Sequence, residues 1–181
     1  MSTRTTKIMT IEQLQAIFPS ATAGTWHQHP NGRGWVENSA QVYDTAWVCD
    51  TALVCGNAWV YGDARVYGDA WVYGDAQVCG AAQVSGAARV YDTALVYGTA
   101  QVSGNAQVYG NAQVCGNAQV SDTAWVYDNA QVYGTAQVYG NAQVYGNAQV
   151  FGDAQVYDNA WVYGDVWVCG DARKGDAHGT D

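Results

Sequence analysis

Residues 136–147 read AQVYGNAQVYGN, two copies of a six-residue unit laid end to end. The same frame runs from residue 40 to residue 171 and divides into 22 hexads of the form A-x-V-x-[GD]-[NDTA] with no insertion. Slot three is Val in every hexad, and slot one is Ala in all but the last, where Val166 replaces it. Six is an even number, so Val can point inward from successive short strands while its two neighbours point outward. A β-branched residue suits that extended backbone. Slots five and six hold Gly or Asp followed by Asn, Asp, Thr or Ala, which is turn chemistry tolerant of unusual backbone angles. The chain is therefore expected to turn a corner every sixth position, with the small Ala fitting where a larger side chain would collide.

A short strand and a corner repeated at fixed period cannot bury its Val alone and must stack on copies of itself, which is a solenoid. The hexads resemble those of the hexapeptide-repeat superfamily of left-handed parallel β-helices, over roughly three quarters of the chain. The resemblance implies an all-β, single-domain triangular coil with three hexads to the turn and left-handed winding. The superfamily includes acyltransferases, γ-class carbonic anhydrases and non-catalytic proteins, so it constrains fold more than function.

The placement of Asp supports a turn of three hexads. Coils stacked at that period would bring equivalent corners about 4.8 Å apart, where like charges repel. Of the twelve Asp of the repeats, only Asp153 and Asp171 fall one such turn apart within one corner slot. The 22 hexads then give a little over seven coils, a prism roughly 35 Å tall whose end strands invite pairing unless capped. Residues 1–33 offer a cap: Thr10 and Gln13 have capping-box spacing, and Ile11, Leu14, Ile17 and Phe18 form an apolar stripe on a short helix stopped by Pro19. The solenoid is expected over 34–173 and a flexible tail over 174–181.

All thirteen Tyr and all five Cys occupy slot four, on the outside. Grouped by threes, one face carries Tyr73, Tyr91, Tyr109, Tyr127, Tyr145 and Tyr163 with Trp71, Trp125 and Trp161 in slot two. A second carries a polar lane of Ser85, Ser103 and Ser121 beside Gln83, Gln101 and Gln119. The third mixes Tyr, Cys and Phe151. Identical side chains at strand spacing read as structural ladders, through aromatic contacts and amide hydrogen bonds. A flat aromatic wall also reads as an interface, because Tyr and Trp are enriched where proteins meet. The Tyr/Trp face is the choice for a partner surface, and the simplest partner is another copy of the chain. The polar lane reads either as the seat of an extended ligand or second subunit, or as drift at exposed positions.

Catalysis finds little support. Acyl transfer needs a His base at a groove between subunits, yet no His occurs between His29 and His178, and no loop interrupts the hexads. A γ-class carbonic anhydrase site needs three convergent His, and the three present lie outside the repeats. The His27-Gln-His29 pair reads as a polar loop rather than a metal site. Neither a disulfide framework nor a phosphate-cradling loop is expected, and no catalytic, cofactor or metal residues are assigned. No apolar run approaches the ~18 residues of a membrane span, the start lacks a secretory signal, and a cytoplasmic protein is expected. The net charge of −9 opposes approach to nucleic acid.

The sequence thus predicts a non-catalytic scaffold or binding protein, partnered by another protein or by its own copies. Other classes stay open: an acidic inhibitor mimicking nucleic acid, capture of a nucleotide or glycan on the aromatic walls, an acyltransferase on resemblance alone, and a water-ordering surface, which the scattered Thr argue against.

Overall fold

The computed structural model describes residues 8–43, 45–170 and 173–175. The chain forms a parallel β-solenoid of about seven coils. Each strand pairs in parallel with the strand three hexads on, as in Val54 with Val72 and Val72 with Val90. Three sheets result, the faces of a triangular prism, and they group the hexads as the expected register requires. The first face begins with β1 (Trp26–Gln28) and β2 (Trp35–Glu37), the third with β3 (Gln41–Val42) and the second with β4 (Trp47–Val48).

The axis is Val and Ala. Slot-three Val from Val48 to Val162 and slot-one Ala from Ala46 to Ala160 have no exposed surface. Full burial of each Val contributes roughly 1.5–3 kcal/mol. Backbone bonding runs between coils: slot two donates its N–H to the slot-one carbonyl above, as Gln107 to Ala124 at 2.9 Å, and slot four to the slot-three carbonyl, as Tyr109 to Val126 at 3.0 Å.

The corners explain why slot five accepts only Gly or Asp. Its backbone is left-handed, with φ between 57° and 74° at the described positions, a region open to Gly and costly for most other residues. The coil above is also close: a Cβ on Gly104 would lie 2.8 Å from the Asp122 nitrogen. Asp fits the same corner because its carboxylate accepts the N–H above, as Asp92 does from Gly110 at 3.2 Å and Asp122 from Gly140 at 3.1 Å. Slot six forms its own ladder, Thr93 to Asn111, Asn129, Asn147 and Asp165, each side chain donating to the next. Asp69, Asp75 and Asp153 likewise accept from Thr51, Asn57 and Thr135. A carboxylate can only accept, so it fits as the last member of such a chain, which gives the spacing of Asp a second cause beside repulsion.

The N-terminal segment divides its work. β1 pairs antiparallel with β2, which occupies the first strand edge of the first face. The following loop reaches the second face through an Arg33–Cys49 bridge, with Gly34 donating to the Val48 carbonyl at 2.8 Å. Helix α1 (Ile11–Ile17) carries the expected capping box between Thr10 and Gln13. It lies against the outside of the first face rather than over the end, and its stripe is narrower than expected, because Ile17 is exposed. At the other end Arg173–Gly175 pairs with Gln155–Tyr157, so the ladder continues past 173 as far as 175. The remaining predicted tail residues, with His178, lie outside the described residues.

Candidate interaction faces

On the first face the slot-four column is a continuous stack. Tyr73, Tyr91, Tyr109, Tyr127 and Tyr145 follow one another at ring-centroid distances of 4.8–4.9 Å with planes within 5°, and Tyr163 closes the column at 5.2 Å. Each such contact contributes about 0.5–1.5 kcal/mol beyond area burial. The rings lean toward slot two of the next coil, where Tyr91 donates to Gln107 Oε1 and Tyr127 to Gln143 Oε1, both at 3.2 Å. Removal from water holds Tyr73, Tyr91, Tyr127 and Tyr145 above the usual phenol range and pushes Tyr109 up to about 12, since the stacked neighbours resist a second charge.

The slot-two column beside this stack is divided. In its lower part Trp35 is 8% exposed and Leu53 fully buried, because Met9, Leu14, Ala21 and Trp26 pack over them. Trp35 Nε1 donates to the Met9 carbonyl at 2.9 Å. Phe18 lies 5.8 Å from Trp71, and the Arg89 guanidinium sits 5.3 Å over the same indole from above. Trp71, nominated from sequence as part of an open wall, is thus half-covered by the chain's own cap. Cys55 beneath the cap is pushed up to about 12 by burial, with the Glu37 carboxylate adding to the shift. Above Arg89 the column opens: Trp125 is 38% and Trp161 43% exposed, and Trp125 meets Tyr109 edge-on at 6.4 Å.

The second face places Ser85, Ser103 and Ser121 in one column and pairs Gln83 with Gln101 and Gln101 with Gln119. Tyr67 and Tyr139 flank the serines below and above. At its lower end is a feature the sequence did not signal, a cleft of about 490 Å³ lined by Gly32, Trp47, Cys49, Asp50, Arg65, Tyr67 and Gln83. It depends on the loop around Gly32, which lies outside the repeat.

On the third face the Cys79 and Cys115 thiols share hydrogen bonds with the Tyr61 and Tyr97 hydroxyls, which hold both phenols above their usual range. None of the five Cys is joined in a disulfide. His27 Nδ1 meets Asn38 Oδ1 at 2.9 Å on the surface, whereas His29 is buried. Among the described residues no three His, Cys, Asp or Glu side chains converge on a metal position, and no helix is long and apolar enough to cross a membrane.

Comparison with known families gives a repeat match. The family model described as YdcK Beta solenoid repeat matches residues 58–74, 64–80, 100–116, 106–122, 112–128, 136–152 and 154–170, together a little under half of the chain. No curated protein matches it. The periodicity, the stacked coils and the repeat match lead to one conclusion: the chain is a β-solenoid repeat protein, similar in its repeat to the YdcK solenoid.

Proposed function

We propose that the protein is a non-catalytic scaffold, a relative of the hexapeptide-repeat superfamily without its chemistry, that associates through the upper half of the first face. The partner is a second copy of the chain. The carrying observation is the division of that face: one part is already filled by an apolar segment of the same chain, and the part above Arg89 presents Trp125 and Trp161 beside five stacked tyrosines. Exposed indoles on a rigid aromatic wall bury large area at little entropic cost when a partner arrives. The solenoid's stiffness favours a two-fold, self-complementary contact.

The absence of any His from 30 to 177 in the sequence supports the non-catalytic reading, since acyl transfer would need a base beside the coils. Size-exclusion chromatography with light scattering tests the proposal. Wild type should elute as a dimer, and Trp125→Arg and Tyr109→Arg should each raise the dissociation constant at least ten-fold while circular dichroism stays unchanged. A wild-type monomer at all concentrations, or dimers unaffected by both substitutions, would refute it.

A further inference from the structure

We infer that the cleft at the lower end of the second face is a binding site for a neutral hexopyranose, free or at the end of a glycan. The cleft shares no residue with the paired surface of the first face. The cleft's volume of about 490 Å³ lies within the ~300–1,000 Å³ of small-molecule sites.

Its platform is Trp47, 48% exposed in slot two of the first coil of this face. A flat indole open to water suits the C–H face of a pyranose ring, which is apolar on its face and polar at its rim. The rim groups are present on adjacent coils. Arg65 pairs with Trp47 one coil above and Gln83 with Arg65 one coil further. Tyr67 donates to Gln83 Oε1 at 3.3 Å, which turns the Gln83 amide nitrogen into the donor end of that side chain. Asp50 accepts the Gly68 N–H through Oδ2 at 3.2 Å, which fixes its carboxylate at the cleft's edge. A guanidinium that only donates and a carboxylate that only accepts match the two halves of sugar hydroxyls.

Charge selects among ligands. One cation and one anion line the cleft, so a charged ligand meets a like charge on one side, and the protein's net charge of −9 further opposes anions. A neutral polyhydroxylated ring meets neither penalty. The wall is fixed in advance: Val48 donates to the Asn31 carbonyl at 3.1 Å, and Asn31 Nδ2 to the Ala46 carbonyl at 3.2 Å. At Gly32, whose φ is 111°, a Cβ would fall 2.4 Å from Cys49 Cβ, so the loop lies as close to the face as a backbone can. A rigid wall lowers the ordering cost of binding.

Isothermal calorimetry with the methyl glycosides of glucose, galactose, mannose and N-acetylglucosamine, beside glucuronate and adenosine, tests the site. At least one neutral glycoside should bind saturably, Trp47→Ala and Arg65→Ala should each weaken it ten-fold or more, and Trp47→Tyr should retain it. Trp167→Ala, on another face, should leave it unchanged. All of these are exposed slot-two positions, and circular dichroism confirms the fold of each variant. No binding by any neutral glycoside, tighter binding of glucuronate or adenosine, or binding that survives both alanine variants would overturn the proposal.

Discussion

Leu53 and Gln107 occupy the same slot of the same face three coils apart, yet Leu53 is fully buried and Gln107 lies at the partly open surface. The backbone around them is equivalent, with the same parallel pairing to the coil above. What differs is the layer outside. Phe18, Leu14 and Met9 return from the N-terminal segment to cover the lower coils and stop at Trp71, where Arg89 marks the border. An outward slot in a solenoid therefore has no fixed burial, and a segment remote in sequence can turn one part of a ladder into core while the rest stays available.

The largest expected effect contrasts these two positions. Leu53→Asp places a charge in a closed apolar site and should destabilise by about 3 kcal/mol or more, whereas Gln107→Asp, which gives up the hydrogen bond from Tyr91 at a partly open position, should cost about 1 kcal/mol, as measured by denaturant unfolding. Equal effects would mean that the cap does not rest on the lower coils. Next comes Phe18→Ala, which removes a partly buried ring between Trp26 and Trp71. It should cost about 2 kcal/mol and red-shift tryptophan emission. If stability and emission are both unchanged, Phe18 does not hold the cap in place.

Alkaline pH should affect the upper half through the tyrosine stack. The folded-state pKa values of its phenols are raised, to about 12 for Tyr109. Their stabilising contribution is therefore present below the unfolded phenol value of about 10 and is lost as pH rises through the folded values. Denaturation midpoints should hold up to about pH 10 and fall above it, and Tyr109→Phe should soften the fall. The smallest effect is chemical. With its thiol held near 12 under the cap, Cys55 should alkylate more slowly than the exposed Cys169 at neutral pH, and Phe18→Ala should narrow the gap, read by mass spectrometry.

The coil was legible because its constraints are local and repeated. Val in slot three, Ala in slot one and Gly or Asp in slot five each answer a demand that recurs in every hexad: an inward strand position, a tight approach and a left-handed corner. The three faces and their columns followed from the hexad period taken together with the three-hexad turn that the hexapeptide-repeat resemblance implied and the spacing of Asp supported. The non-repeating parts were less legible. The capping box at Thr10 was readable from spacing, but the surface that α1 covers was not, because Leu53 and Trp71 meet it through contacts remote in sequence, which no repeat pattern encodes. The Tyr to Gln bonds were missed although the signal was present, a slot-four Tyr followed 16 residues later by a slot-two Gln, as in Tyr133 and Gln149 at 3.1 Å. The cleft beside Trp47 needed Gly32, whose φ of 111° lies outside anything the hexads announce.

Hydroxyl-radical footprinting read residue by residue tests the division of the first face most directly, because it reports each indole in the intact protein. At low concentration Trp35 should be modified slowly, Trp71 at an intermediate rate, and Trp125 and Trp161 fast, with the last two becoming protected as concentration rises. Equal rates at Trp71 and Trp125, with no protection at any concentration, would contradict that division.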